Sequence, residues 1–274
     1  MTAPTAPKHA GPSRLSSVFA ACREQGRAAL IGYLPVGFPT VPESIESFTT
    51  MVEAGCDIIE VGVPYSDPVM DGPTIQEAAG LALTNGVRVR DVFPAVRAIT
   101  EAGGQAVVMS YWNPVLAYGV ERFAADLADA GGAGLITPNL IPEEGAAWHG
   151  ASDAHGLDRI YLVAPSSTPE RLAYTIDSCR GFVYAASTMG VTGARSTVST
   201  AAPELCALVR QYSDIPIGVG LGVRSGEQAA EIASYADGVI VGSALVTAAT
   251  AGPDHLRALV TELADGVAHP NPPR

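Results

Sequence analysis

The chain is short of several things that would each point to a function class. Its 274 residues include four cysteines, at 22, 56, 179 and 206, with no C-x-x-C spacing. Scattered thiols in a chain of this length read as core packing in a reducing compartment, not as a disulfide frame. The five histidines, at 9, 149, 155, 255 and 269, fall into no metal-ligand spacing, so no metal is expected. Positive charge is scarce: 16 lysines and arginines against 28 acids give a net charge of −12. That balance argues against nucleic acid or an anionic membrane surface as a partner, since both require a basic face. It leaves room for a small phosphorylated ligand, which needs only a local positive field. No apolar run approaches the roughly 20 residues of a membrane-spanning helix. The opening MTAPTAPKHAGPS lacks a signal-peptide core, and the expected location is cytoplasmic.

What is present is apolar bulk in short pieces. Hydrophobic residues make up 47% and charged residues 16%, enough to bury a sizeable core. Eight β-branched or apolar runs, at 28–35, 57–62, 106–111, 134–138, 159–163, 182–186, 215–220 and 237–242, read as strands. Helical stretches separate them, near 40–54, 73–85, 91–102, 119–130, 142–153, 168–177, 202–211, 225–235 and 253–264. One more, near 13–25, precedes the first strand. Pro169 and Pro203 sit at first-turn positions, and Gly103-Gly104 and Gly131-Gly132 close the helices before them. Strands apolar on both faces belong to a parallel sheet covered by helices. Eight of them alternating with helices predict an α/β protein of the closed (β/α)8 TIM-barrel type. A doubly wound open sheet competes, but no G-x-G-x-x-G opens the first helix. The barrel is expected to span 13–264 as one domain, with a disordered tail at 1–12 and a flexible one at 265–274. The interval after the second strand is long enough for a loop and two helices, and an additional helix follows the eighth.

The stretch DIIEVGVPYSDPVMDG (57–72) runs an apolar strand into a loop carrying Asp67 and Asp71, with Glu60 inside the strand. Alternation puts Ile58 and Glu60 on one face and Ile59 and Val61 on the other. If Glu60 points into the top of a barrel, apolar walls raise its pKa and suit it to acid–base work, with Asp71 reaching over the same opening. The plain alternative is that Glu60 bonds a neighbour and the aspartates form turns. Glycine-rich segments follow the last three strands: GVTGAR (190–195), GLGVRSG (220–226) and GSALV (242–246). Ser243 opens a short helix whose N–H groups attract an anion, a recurrent use of this fold after its seventh and eighth strands. Together these segments indicate a phosphosugar-type ligand.

The segments GYLPVGFPT (32–40), EVGVPYSDPVMDGPTIQ (60–76), SYWNPVLAYG (110–119), GVTGAR and the GLG and VGSALV pair resemble the alpha subunit of tryptophan synthase, over about residues 13–264. The resemblance implies a lyase that cleaves indole-3-glycerol phosphate to indole and glyceraldehyde 3-phosphate by a retro-aldol step. It implies that Glu60 shuttles the proton at C3 and the glycerol hydroxyl, and that Asp71 accepts the indole N–H. Gly193, Gly222, Gly242 and Ser243 would hold the phosphate. Tyr33, Tyr111, Tyr184 and Leu221 would wall the indole, and Thr192 would fasten a closing loop. Asp67, Pro68 and Asn113 match the face that meets the beta subunit, in a complex of two alpha chains flanking a beta dimer. No cofactor is implied on this chain; pyridoxal phosphate is expected only in the beta subunit. Asn139 stands where the family generally has aspartate, and Tyr33 and Leu221 where phenylalanine is common. A stand-alone lyase releasing free indole, or a non-catalytic activator of a beta subunit, would carry the same residues.

Overall fold

The computed structural model describes residues 13–186, 201–220 and 222–271. Its strand segments are β1 (Ala29–Pro35), β2 (Ile58–Gly62), β3 (Gln105–Met109), β4 (Gly134–Ile136), β5 (Asp158–Ile160), β6 (Leu162–Val163), β7 (Val183–Ala186), β8 (Ile217–Gly220) and β9 (Gly238–Val241). All pairings are parallel, in the order β5-β4-β3-β2-β1-β9-β8-β7-β6. The two ends of that order, β5 and β6, are separated in the chain by Tyr161 alone. They are two halves of one strand, the first paired with β4 and the second with β7. The sheet therefore closes on itself as the expected eight-stranded barrel. RIYLV reads as one run because both halves are apolar; the change of pairing partner at Tyr161 leaves no mark in composition.

Alternation along the strands separates two cores. Side chains such as Leu30, Leu34, Ile59, Val61 and Val108 pack outward against the helices. Ala29, Ile31, Ile58, Val107, Ile136, Ile160 and Ile240 fill the lower interior. The N-terminal helix Arg14–Glu24 adds Leu15, Phe19 and Cys22 to that interior cluster, and the Phe19 and Phe182 rings meet at 5.4 Å. Each such large apolar side chain contributes roughly 1.5–3 kcal/mol when fully buried. The helix is tied down by Asp158, which accepts from the Ser13 hydroxyl at 2.7 Å and the Leu15 N–H at 3.3 Å. Arg180 faces the other oxygen of Asp158 at 3.1 Å, both side chains being buried. Burial pushes the Asp158 carboxyl pKa up, and the Ser13 hydroxyl and Arg180 pull against that.

The long interval after β2 holds helices Pro73–Thr84 and Val92–Glu101, and two helices, Ser243–Ala251 and Pro253–Ala268, follow β9. Thr168 caps the helix Pro169–Ser178, accepting from the Arg171 N–H at 3.3 Å. Two differences from the sequence reading stand out. The last helix runs to Ala268 with Val267 buried, four residues beyond the end expected at 264. A short helix, Trp112–Tyr118, also follows β3. Pro114 sits in its first turn, where the missing N–H would have had no helical partner.

Candidate active site

Register places the candidate residues on one rim. Tyr33 on β1 is the Cα partner of Glu60 on β2, and Glu60 is the partner of Val107 on β3. Ile58, two residues before Glu60, belongs to the barrel interior, so Glu60 points inward one layer higher. It is 1% exposed, and its Oε1 has no hydrogen-bond partner among the described residues. With apolar walls and no compensating donor, burial raises the Glu60 pKa to about 8.

Asp71 sits on the loop above β2, just before Gly72 and Pro73 open the next helix. Burial raises its pKa to about 6, and hydrogen bonding with the Tyr111 hydroxyl partly offsets that. The loop itself is held from the β3 side: the Tyr111 hydroxyl accepts the N–H groups of Val69 at 3.2 Å and Met70 at 3.0 Å. The Gln76 side-chain amide anchors the Asp71 carbonyl at 2.7 Å. Glu60 and Asp71 are close enough to one another's surroundings that the phenols of Tyr33 and Tyr184 each feel both charges, besides their own burial. At neutral pH this arrangement holds one carboxyl mainly protonated and the other mainly ionised, which is how a pair divides acid and base work.

Tyr33 and Tyr184 are fitted over glycines. A β-carbon on Gly62 would lie 2.5 Å from the Tyr33 hydroxyl oxygen, and one on Gly220 would lie 2.4 Å from that of Tyr184. These glycines are where the rings need room. Across the rim, Gly242 precedes the helix Ser243–Ala251, and its carbonyl accepts the N–H groups of Leu245 and Val246. The N–H groups of Ser243 and Ala244 begin that helix and have no carbonyl within it to bond. The Ser243 side chain is 7% exposed, and unbonded N–H groups at a helix start favour an anion. Tyr33 Cδ1 and Ile75 Cδ1 approach the position of a Gly242 β-carbon at 3.5 and 3.6 Å, so this helix start adjoins the Tyr33 ring. Gly222, after β8, has φ of 68°, a left-handed conformation that suits glycine. Thr192, Gly193 and Leu221 lie outside the described residues.

The remaining expected positions lie toward the outside. Asp67 is exposed and accepts from the Ser66 hydroxyl at 2.6 Å, and Pro68 is half-buried beside it. Asn113 is exposed and donates to the Tyr65 hydroxyl at 3.0 Å. Tyr65 stacks on Tyr111 with ring centroids 5.0 Å apart, so this outer face and the Asp71 loop share one aromatic pair. Tyr65 and Ile75, both within the acidic motif at 60–76, are further residues of this rim. Asn139 faces the start of the helix after β3. Its carbonyl accepts the Trp112 N–H at 2.9 Å and so caps the helix after β3, a role that needs no charge. Among the described residues no group of His, Cys, Asp and Glu could hold a metal ion, and no helix is long and apolar enough to cross a membrane.

Residues 19–268 match the family model described as tryptophan synthase alpha chain. The chain belongs to the tryptophan synthase alpha chain family. The tryptophan synthase alpha chain of Nocardia farcinica is 72% identical over 255 residues, covering 93% of this chain and 96% of that one. A solved structure of Mycobacterium tuberculosis tryptophan synthase superposes with a TM-score of 0.92 at 68% identity, covering 94% of this chain and 99% of the other. The fold persists at greater distance. Tryptophan synthase subunit alpha from Legionella pneumophila gives a TM-score of 0.82 at 29% identity, covering 94% and 99%.

Proposed function

We propose that this chain catalyses the alpha reaction of tryptophan synthase, the cleavage of indole-3-glycerol phosphate to indole and glyceraldehyde 3-phosphate. The observation that carries the reading is the pair Glu60 and Asp71 on one barrel rim, raised to about 8 and about 6. In the proposed step Glu60 gives a proton to C3 of the indole, which breaks aromaticity in the five-membered ring. Asp71 accepts a hydrogen bond from the ring N–H as positive charge develops there. The carbon–carbon bond to the side chain then breaks and its electron pair returns to the ring. The adjacent side-chain hydroxyl loses its proton to the Glu60 carboxylate and becomes the aldehyde. The proton balance closes on Glu60.

The phosphate end is proposed to rest on the N–H groups and hydroxyl at Gly242 and Ser243, with Gly222 and, by the family pattern, Gly193. Tyr33, Tyr111, Tyr184 and Leu221 are proposed to border the indole, and Thr192 to act in closure. Asp67, Pro68 and Asn113 are proposed to face a beta subunit in an alpha2-beta2 assembly that consumes the indole. The pyridoxal phosphate of that assembly would belong to the beta subunit, and the proposed location is the cytoplasm.

The test is indole release from indole-3-glycerol phosphate by the purified chain, with and without a beta subunit. Cleavage that rises on adding the beta subunit is the expected result. No cleavage in either state would overturn the catalytic reading and favour a non-catalytic activator. High turnover, unchanged by the partner, would favour a stand-alone lyase.

A further inference from the structure

The Tyr111 hydroxyl accepts the N–H groups of Val69 at 3.2 Å and Met70 at 3.0 Å, and it bonds the Asp71 side chain next along the loop. A hydroxyl has one proton and two lone pairs. These three bonds use all of it, and each depends on where the ring stands. The main chain fixes the root of that ring but not its tilt. On one face the ring is covered by Tyr65, stacked with centroids 5.0 Å apart and planes inclined at 28°. Tyr65 is fastened in turn from the segment it supports: the Asn113 amide, two residues beyond Tyr111, donates to its hydroxyl at 3.0 Å. Tyr65 thus lies between exposed Asn113 and buried Tyr111, and closes a ring of contacts joining the loops after β2 and β3.

We propose that Tyr65 is a positioning residue for Asp71, acting through the Tyr111 ring that it stacks on. The inference rests on the reading of Asp71 as acceptor of the indole N–H. Without the Tyr65 ring, the Tyr111 ring gains room to tilt, and its hydroxyl leaves the one place where it meets two main-chain donors and the carboxylate together. Asp71 then loses both the anchor of its loop and a hydrogen bond that favours its charged form. Tyr65 needs no contact with substrate for this role. Its stacked face carries the effect, and the Asn113 bond holds that face in place.

The test compares Tyr65→Leu, which removes the stack, with Tyr65→Phe, which keeps it and loses only the Asn113 bond. Each is made in the full chain, alone and together with Tyr111→Phe. Indole release gives kcat and KM. Carboxyl carbon NMR of aspartate-labelled protein gives the Asp71 titration midpoint, with Asp71→Asn identifying the signal. In Tyr65→Leu, kcat should fall about fivefold or more while KM stays within about twofold. The Asp71 midpoint should rise by roughly half a pH unit, and Tyr65→Phe should recover most of both. With Tyr111→Phe already present, Tyr65→Leu should add nothing, because the hydroxyl it positions is gone. An unmoved midpoint in Tyr65→Leu, or a loss that adds in full to that of Tyr111→Phe, would overturn the proposal. Failure of the underlying reading looks different: Asp71→Asn would keep its turnover while the midpoint in Tyr65→Leu still rose.

Discussion

The Tyr111 hydroxyl accepts the Met70 N–H at 3.0 Å and the Val69 N–H at 3.2 Å, so one phenol oxygen sets the height of the loop that carries Asp71. Tyr111→Phe keeps the stacking on Tyr65 and removes that acceptor. Two main-chain donors lose their partner, at a cost of about 1–2 kcal/mol in stability. The expected outcome is a lower urea midpoint with unchanged slope, and a fall in kcat/KM of about tenfold or more as Asp71 loses its fixed position. Steady-state kinetics beside urea titration checks both. Unchanged kinetics would leave the loop supported by Gln76 alone.

Glu60→Gln keeps the shape of the side chain and removes its proton transfer. Indole formation should fall by roughly 10²–10⁴-fold, the usual worth of a positioned acid–base group, while circular dichroism stays the same.

The same variant has a stability signature with a definite sign. The Glu60 carboxyl titrates at about 8 when folded against an ordinary value of 4.5. The folded state therefore holds this proton more tightly than the unfolded one. The stability associated with it is complete below pH 4.5 and is lost as pH rises through about 8. Glu60→Gln has no such loss, so its advantage over the parent should grow across that window to on the order of 3–5 kcal/mol above pH 8. Urea titrations at pH 5 and pH 9 measure it; an equal gap at both would show that Glu60 is not desolvated.

Turnover should trace a bell. Asp71 must be ionised, which fails below about 6, and Glu60 must start protonated, which fails above about 8. In Asp71→Asn the acid limb should disappear and kcat should fall by about 10²-fold or more, with little change in KM. An acid limb that survives in this variant would assign it to another group.

Asn139 offers a test of a departure from the family pattern. Its carbonyl caps the Trp112 N–H, so Asn139→Ala should cost about 1 kcal/mol, and Asn139→Asp should keep the cap. Thermal unfolding of the two variants separates a capping role from an electrostatic one.

Much of this molecule could be read from residue order. The strand runs and helix boundary residues announce a parallel barrel because each piece satisfies its own local rules: Thr168 caps, Gly103 and Gly131 take positive φ, and Ile59 and Val61 face the helices. Alternation put Glu60 on the face of Ile58, and the place of Ile58 in the barrel interior makes that face the inward one. What escaped depended on distant groups. The helix at Trp112 is capped by a residue 27 positions away, and the switch of pairing at Tyr161 is decided by ring closure. Likewise, Tyr111 serves the main chain of another loop, so its aromatic character suggested only a wall.

The N-terminal helix has a consequence for traffic. With Leu15, Phe19 and Cys22 driven into the interior and Phe19 set against Phe182, the bottom of the cylinder is stoppered. Among the described residues the lower end is closed, so a guest at Glu60 and Asp71 comes and goes by the opposite rim. A protein that received the product would then dock on that side, where Asp67 and Asn113 are proposed to face it.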